Sequence, residues 1–311
     1  MAGDKKLFCF GYGYSCEYLC RALAEEDSWH LAGTTRDREK KSWMKEQGIK
    51  TFIFDATTPL EDPRRFLRDV THLLISTPPN DSGDPAFVTH GEDIRNLPNL
   101  QWIGYLSSTG VYGDRDGDLV DEHAELRPNN KRGSRRVKAE SQWLSLFHED
   151  NLPVHIFRLA GIYGPGRSAL DSVRAGMARR IDKPGHAFNR IHVEDIARIL
   201  KASMNNPAPG NIYNLADDYA SPSHELIAYA CTLLGLDVPP LIPFDQADLA
   251  PIARSFYQDN KRIDNNKIKT ALGMTLRYPD YKTGLQACLE AENKQASDPL
   301  QPATAEHALQ E

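Results

Sequence analysis

A glycine-containing turn near the start of the chain constrains the fold more than any other feature. A short apolar run at residues 7–10 leads into the segment Gly11-Tyr12-Gly13-Tyr14-Ser15-Cys16. Apolar side chains then recur at helical spacing, at Cys16, Leu19, Cys20 and Leu23. A strand, a glycine turn and a helix in this order form the setting that a dinucleotide-binding site requires.

The spacing of the two glycines assigns a role to each of them in that setting. Gly11 allows the tight turn, and Gly13 lets the backbone approach a pyrophosphate. The following helix offers N–H groups and the positive end of its dipole to the anion. We therefore predict cofactor contacts at Gly11, Tyr12, Gly13, Tyr14 and Ser15. Cys16 stands where such sites usually have a third glycine. The alternative interpretation is therefore an ordinary glycine turn in a protein that binds no nucleotide.

Strand and helix patterns alternate through the first half of the chain. Strands are predicted over residues 7–10, 29–34, 51–54, 72–76, 102–106 and 154–159. Helices are predicted between them over 15–25, 38–47, 87–97 and 134–148. Repeated β-α units predict an α/β fold, a Rossmann-type doubly wound parallel sheet with helices on both faces. We assign residues 1–160 to this dinucleotide-binding domain.

The second half of the chain predicts a smaller C-terminal α/β lobe for the substrate, residues 161–292. Its predicted helices cover 170–180, 194–204, 224–234, 265–272 and 281–292, with a short strand near 189–193. Another strand, within residues 211–216, is expected to return to the main sheet. Residues 293–311 lack periodicity and are predicted to be a mobile tail.

Composition argues against several classes of function. The 311 residues carry a net charge of −6, which gives no support for binding nucleic acid or an anionic membrane. No apolar run approaches the roughly 20 residues of a membrane helix. The N-terminus runs directly into a strand, so we expect no signal peptide and a cytoplasmic protein. The cysteines form no Cys-x-x-Cys pair, so we expect reduced, buried thiols and no metal site.

The ends of the predicted strands indicate which dinucleotide binds, because ligands lie beyond the carboxyl ends of such strands. Arg36 suits a 2′-phosphate and Thr35 can donate a hydrogen bond to it, which favours NADP. Asp37 keeps NAD open, because it reaches the ribose 2′-hydroxyl if the strand ends one residue later. Asp55 is either an acceptor for the adenine amino group or a turn cap. The remaining cofactor contacts are predicted at Ser76, Thr77, Pro78, Ser107, Lys138 and Arg158.

The chain resembles the extended short-chain dehydrogenases/reductases of the NAD(P)-dependent epimerase/dehydratase kind, in their atypical branch. The resemblance rests on residues 10–16, SSTGVYG at 107–113, RLAGIYGPGR at 158–167, RIHVEDIA at 190–197 and YNLA at 213–216. It implies a Rossmann domain that holds NAD(P) and a C-terminal substrate lobe. It also implies an oxidoreductase or epimerase/dehydratase-like activity on a small polar substrate, either phosphorylated or nucleotide-linked, in a monomer or homodimer.

The catalytic pattern of that family is a Ser/Thr after the fifth strand and Tyr-x-x-x-Lys on the next helix. Thr109 matches the residue that polarises the substrate oxygen, and Lys138 matches the lysine that holds the nicotinamide ribose. Ser134 stands in the tyrosine position, where an alkyl hydroxyl is a poor acid and base compared with a phenol. Tyr112 or Tyr163 is the candidate replacement, with packing between loop and lobe as the alternative.

Arginines of the second lobe clamp a nucleotide diphosphate in the resembling enzymes. Arg167 and Arg190 are the predicted substrate contacts, because they lie in loop and strand-end motifs. His192 is predicted to be structural. The missing tyrosine keeps a second class of function open, a non-catalytic NAD(P)-binding sensor or regulatory protein.

Overall fold

A computed structural model gives the fold and describes residues 5–26 and 28–297. The strands are β1 (Lys5–Phe10), β2 (Trp29–Thr35), β3 (Lys50–Ile53), β4 (His72–Ile75), β5 (Trp102–Ser108), β6 (Leu119–Val120), β7 (Val154–Leu159), β8 (Gly161–Tyr163), β9 (Arg180–Asp182), β10 (Arg190–His192), β11 (Ile212–Leu215), β12 (Leu241–Pro243) and β13 (Arg262–Ile263). The helices are α1 (Tyr14–Ala24), α2 (Arg38–Glu46), α3 (Pro63–Leu67), α4 (Pro85–Arg95), α5 (Lys131–Asp150), α6 (Ala169–Arg174), α7 (Val193–Asn205), α8 (Ser223–Leu234), α9 (Pro251–Phe256), α10 (Asn266–Ala271) and α11 (Tyr281–Ser297). No helix among the described residues is both long and apolar enough to cross a membrane.

Seven parallel strands form the central sheet, in the order β11-β7-β5-β4-β1-β2-β3. The order reverses between β1 and β4, which is where doubly wound sheets bind their ligands. This arrangement confirms the predicted Rossmann-type fold. β11 pairs with β7, with Ile212 opposite Ile156, so a strand from the second half of the chain forms the edge of the sheet.

The two faces of the sheet bury separate apolar layers. Successive side chains of a strand point to opposite faces, and β1 is apolar on both. Leu7 and Cys9 pack in the layer that α1 and α7 cover, whereas Phe8 and Phe10 pack in the layer under α4 and α5. Helices on both faces place the carboxyl ends of all seven strands along one open edge.

The second lobe is built from short parallel strand pairs and a small helical core. β10 pairs with β8, β12 with β9 and β13 with β6. The helices α6, α8 and α11 share an apolar core that includes Leu170, Ile227 and Leu285. The helix predicted over 170–180 is wrong in its second half. It ends at Arg174, because Gly176 takes a left-handed φ of +67°, and Arg180 begins β9.

The last helix of the described chain extends beyond its predicted end. α11 continues to Ser297, so residues 293–297 belong to a helix and the tail predicted from 293 starts too early. The rest of that predicted tail, residues 298–311, lies outside the described residues.

Candidate functional site

The glycine turn between β1 and α1 is held in place by β2 and by the loop after β4. Gly11 N donates a hydrogen bond to Thr34 Oγ1 (2.9 Å), and Tyr12 N donates to Thr34 O (2.7 Å). Gly11 has a φ of +84°, and a Cβ atom there would lie 3.0 Å from Thr77 N. Glycine is required at this position, because the backbone is left-handed and closely approached.

The N-terminus of α1 faces open space directly above this turn. Gly13 is its N-cap residue, and no side chain caps the helix. A Cβ atom at Gly13 would meet no heavy atom within 4 Å. The N–H groups of the first helical turn, together with the positive end of the helix dipole, are therefore accessible to an anion.

Tyr14 connects the glycine turn to the second lobe. Its hydroxyl donates to Pro165 O (2.9 Å), and a Cβ atom at Gly164 would lie 2.5 Å from that hydroxyl. The exposed guanidinium of Arg167 lies 5.8 Å from the centre of the Tyr14 ring. The structure thus brings a predicted cofactor residue and a predicted substrate residue together, whereas the Ser15 side chain is buried within α1.

The end of β2 distinguishes the two residues that bear on cofactor choice. The strand ends at Thr35, so the exposed Arg36 is the first residue beyond it. Asp37 is the N-cap of α2, and its Oδ1 accepts hydrogen bonds from Glu39 N (2.7 Å) and Lys40 N (3.2 Å). Thr35 Oγ1 accepts from Asp37 N (3.1 Å). The carboxylate considered for a ribose hydroxyl is thus engaged with its own helix.

Asp55, which follows β3, caps its own turn. Its Oδ1 accepts hydrogen bonds from Thr57 N (2.7 Å), Thr57 Oγ1 (2.7 Å) and Thr58 N (2.9 Å). These bonds, the one from the Thr57 hydroxyl foremost, lower the pKa of Asp55. The structure shows the turn-cap role, and the contact with adenine stays a prediction.

A buried carboxylate, Asp84, organises the loop after β4. Thr77 Oγ1 donates to Asp84 Oδ2 (3.2 Å), and Asp84 also caps α4 through backbone N–H groups. Burial raises the pKa of Asp84 to about 6. Ser76 is half-buried and Pro78 is exposed, so the three predicted contacts at 76–78 differ in how far they can reach a ligand.

Three residues predicted to face the site form a buried network instead. Arg158 and Glu140 are each 2% exposed, and Nη2 of the guanidinium lies 2.8 Å from Oε2 of the carboxylate. Ser107 Oγ donates to the same carboxylate. The Tyr112 hydroxyl accepts from Arg158 Nη1 (2.9 Å) and donates to Asn214 Oδ1 (2.7 Å).

These contacts direct the side chains of Ser107, Arg158 and Tyr112 to one another and to Glu140, and their cofactor and catalytic roles stay predictions. Tyr112 has no exposed surface, and burial raises its pKa to about 12. The phenol is thus enclosed, and both of its hydrogen bonds are made within the protein. The sequence does contain a signal for this network. Glu140 lies three residues from both Val137 and Trp143, so it shares the apolar, inward face of its helix with them. A carboxylate on such a face is buried and requires a charged or hydrogen-bonding partner.

Lys138 and Ser134, the residues at the positions of the family's lysine and tyrosine, both lie on the exposed side of α5. Lys138 Nζ donates to Asp81 O (2.8 Å) in the loop after β4. Ser134 Oγ donates to Asn130 O (3.2 Å) at the start of the helix. Their side chains therefore contact the flanking loop and the helix backbone.

Arg136, which the sequence shows only as one of a basic cluster at the start of α5, is a cation near the carboxyl end of β5. Its Nη1 donates to Leu106 O and to Tyr105 Oη (3.2 Å). Thr109, the predicted Ser/Thr residue, begins the short 3-10 segment at the same strand end and is 8% exposed. The hydroxyl of Ser108 caps that segment by accepting from Gly110 N (3.1 Å).

Arg190, the second predicted substrate contact, is buried in the lobe. Its Nη1 donates to Ser221 Oγ (2.8 Å) and to Phe188 O (3.1 Å). Burial lowers the pKa of this guanidinium. His192 Nδ1 accepts from Glu194 N (3.2 Å) and caps α7, which confirms its predicted structural role. Arg167 is thus the more accessible of the two predicted arginines.

Asp217, just past β11, is a buried carboxyl group that no motif or spacing indicated. It is 4% exposed, and its Oδ1 accepts from Tyr219 N (3.3 Å). Its Oδ2 is buried without a hydrogen-bond partner. Burial raises the pKa of Asp217 to about 8, although the charge of Arg190 opposes the shift.

Asp217 is expected to make the stability of the protein depend on pH. The folded chain keeps the proton between pH 3.8 and about 8, where the unfolded chain has lost it. The contribution of Asp217 to the free energy of unfolding is therefore full at low pH and is lost as the pH rises through that window. The loss is on the order of a few kcal/mol. Urea unfolding of Asp217→Asn at several pH values should show a flatter decline than the wild type. Asp237→Asn, at an exposed carboxylate elsewhere in the second lobe, should leave the decline unchanged. An unchanged decline in Asp217→Asn would contradict the assignment.

Comparison with known proteins relates part of the chain to a known family. The profile of the NAD dependent epimerase/dehydratase family matches residues 99–216. Protein YeeZ of Escherichia coli (strain K12) is 27% identical over 290 residues, which cover 89% of this chain and 97% of YeeZ. A solved structure of a functionally unknown conserved protein from Silicibacter pomeroyi DSS is 46% identical, with a TM-score of 0.86 over 92% of this chain and 99% of that chain.

A more distant structure shares the fold. The dTDP-glucose 4,6-dehydratase from Bacillus anthracis str. Ames, solved in complex with NAD, is 16% identical. Its TM-score is 0.76, over 94% of this chain and 98% of that chain. The profile match spans β5, α5, β7 and β11, which build the carboxyl edge and the buried network described above. Over residues 99–216 the chain is thus similar to the NAD dependent epimerase/dehydratase family, and over most of its length it has the fold of a dehydratase that was solved with NAD.

Proposed function

We propose that this protein is an NADP-binding oxidoreductase or epimerase/dehydratase-type enzyme that acts on a small polar, nucleotide-linked substrate. The observation that carries the proposal is the uncapped N-terminus of α1 above Gly13, at the reversal point of a Rossmann sheet. The dTDP-glucose dehydratase of the same fold was solved with NAD, which is consistent with a nicotinamide dinucleotide here.

The residues around the glycine turn would hold the cofactor. Backbone N–H groups of residues 11–15 would bind the pyrophosphate. Arg36 and Thr35 would bind a 2′-phosphate, and the engagement of Asp37 in capping α2 supports NADP over NAD. Asp55 and residues 76–78 would lie along the adenine and ribose, as the strand order places them on either side of β1 and β2.

The end of β5 would carry the reaction. A bound nicotinamide would supply reversible acceptance of a hydride. Thr109 would orient the substrate oxygen, and we assign the cationic role to Arg136 in place of Lys138, because only Arg136 of these two contacts the backbone of β5. Arg167, exposed beside Tyr14, would meet a phosphate of the substrate. Neither Ser134 nor Tyr112 suits the transfer of a proton.

A second candidate function is a non-catalytic NADP-binding sensor. The observation that favours it is the combination of Ser134, whose hydroxyl is bonded to Asn130 O, and Tyr112, which is enclosed. The two functions differ in a simple measurement. An enzyme oxidises or interconverts a nucleotide-linked sugar in a substrate screen, whereas a sensor binds NADPH without turnover.

Replacement of Arg36 by alanine should weaken NADPH binding by roughly 10–100-fold, the equivalent of one or two charge-assisted hydrogen bonds. NADH binding should change little, because NADH lacks the 2′-phosphate. Fluorescence titration of the wild type and of Arg36→Ala with both dinucleotides measures the effect.

Arg38→Ala is the matched control for that titration, since Arg38 is a second exposed arginine two residues further along the chain. It should leave NADPH binding unchanged. Equal binding of NADH and NADPH that is insensitive to Arg36 would make NAD the cofactor. Failure of the wild type to bind either dinucleotide would refute both candidate functions.

A further inference from the structure

Three thiol groups from two elements meet directly beneath the glycine turn. Cys9 lies on β1, and Cys16 and Cys20 lie one turn apart on α1. Their Sγ atoms all lie within 4.8 Å of one another. The three side chains are free thiols and are at most 2% exposed. The mechanism proposed above does not use them.

The spacing of the three sulfur atoms is close to that of a metal–thiolate site. Zinc–sulfur bonds of about 2.3 Å place tetrahedrally arranged sulfur ligands about 3.8 Å apart. Sulfur atoms within 4.8 Å of one another reach this spacing by shifts of about 1 Å or less, which small rotations about χ1 supply. The backbone does not need to move for the three thiols to converge on one ion.

A glycine on the neighbouring strand lies beside this cluster of thiols. Cys16 lies in the first turn of α1. A Cβ atom at Gly33 would lie 3.4 Å from Cys9 Cβ, so a glycine on β2 leaves space for the thiol on β1.

We propose that Cys9, Cys16 and Cys20 bind one soft, thiophilic metal ion of the Cu(I) class. Thiolates are the ligands that select Cu(I), and a closed structural zinc site requires a fourth ligand. The described residues bring three such donors together at this place. Coordination forms sulfur–copper bonds and releases the thiol protons to solvent, and the copper remains Cu(I), so no oxidant or reductant takes part.

The open turn lies close to the three thiols along the chain. Gly13 has no atom within 4 Å of its Cβ position, and Cys16 is three residues further along, in the uncapped first turn. The metal site would therefore lie behind the face on which a dinucleotide binds. The proposal is independent of the proposed function, because the metal is titrated with no dinucleotide present.

The test is an anaerobic titration of the reduced full-length protein with Cu(I), in competition with a colorimetric Cu(I) chelator. We expect one tightly bound Cu(I) per chain, with a sulfur-to-copper charge-transfer absorption in the near ultraviolet. Cys16→Ser should lower the affinity by at least about 100-fold, since loss of a group that only hydrogen-bonds a ligand already costs 10–100-fold. Cys9→Ser and Cys20→Ser should behave alike.

The chain offers matched controls in Cys231 and Cys288, which are also buried free thiols but lie in the second lobe. Cys231→Ser and Cys288→Ser should keep the full equivalent of Cu(I). Retention of that equivalent by a variant lacking Cys9, Cys16 and Cys20 would overturn the proposal. X-ray absorption of the wild-type complex decides the matter if these variants fail to fold. Three sulfur neighbours are expected, and nitrogen or oxygen ligands would overturn the assignment.

Discussion

Arg158→Met should lower the free energy of unfolding by about 3–5 kcal/mol, the usual cost of leaving a buried charge without its partner. The guanidinium donates to both oxygens of Glu140, to the Tyr112 hydroxyl and to Glu122 O. Methionine fills much of the same volume but donates no hydrogen bond, so the Glu140 carboxylate stays buried with only the Ser107 hydroxyl beside it. Urea unfolding followed by circular dichroism measures the loss.

A double variant separates the charge effect from a packing effect. Arg158→Met combined with Glu140→Leu removes both charges, and most of the lost stability should return. Ser107→Ala, which removes one hydrogen bond to the same carboxylate, should cost only about 1–2 kcal/mol. If the double variant were as unstable as the sum of the two single variants, a structural role through packing alone would replace the ion-pair account.

Gly13→Ser should weaken dinucleotide binding by about 100-fold while the fold becomes slightly more stable. Gly13 has an extended backbone conformation that serine adopts freely, and no atom obstructs its Cβ. Serine at an N-cap accepts a hydrogen bond from the first helical turn and adds a few tenths of a kcal/mol. The same hydroxyl and Cβ occupy the space before the N–H groups that a pyrophosphate needs. Losing two charge-assisted hydrogen bonds accounts for the fall in affinity.

Opposite signs in binding and stability make this prediction specific. NADPH titration and thermal unfolding of the same variant measure the two quantities. Ala250→Ser is the matched control, since Ala250 is the exposed N-cap of α9 and no side chain caps that helix either. It should leave NADPH binding unchanged. Undiminished NADPH binding by Gly13→Ser would show that the dinucleotide binds elsewhere.

The order of the elements could be predicted from the sequence because it depends on local patterns. The apolar run before Gly11 and the helical spacing after it lead directly to β1 and α1, and the repetition of such units leads to the parallel sheet. The helix predicted over 170–180 failed for an equally local reason. Gly176 in a left-handed conformation ends the helix, and the apolar periodicity that continued past it did not reveal this.

The direction in which strand-end side chains point could not be predicted in the same way. Ser107 and Arg158 lie at the carboxyl edge of the sheet, as predicted. Their side chains nevertheless point toward the buried Glu140, which lies on α5, 33 residues after Ser107 in the sequence. Which of two neighbouring strand residues faces a ligand depends on the register between β5 and β7 and on the partner in α5. The Tyr-x-x-x-Lys spacing pointed to Lys138. It could not show that Arg136 is the cation that contacts β5, because both residues lie in one basic stretch of the same helix.

The return of β11 to the sheet has a consequence for the order in which the chain acquires its fold during synthesis. Residues 160–211 separate β7 from the strand that covers its edge. At about 5–20 residues per second, the ribosome needs roughly 3–10 s to add them. Throughout that interval the edge of β7 that β11 later covers stays unpaired, and the Tyr112 hydroxyl lacks its hydrogen-bond acceptor, Asn214. The first 160 residues are therefore a poor autonomous unit, and fragments that end between the two strands should be substrates for chaperones and proteases.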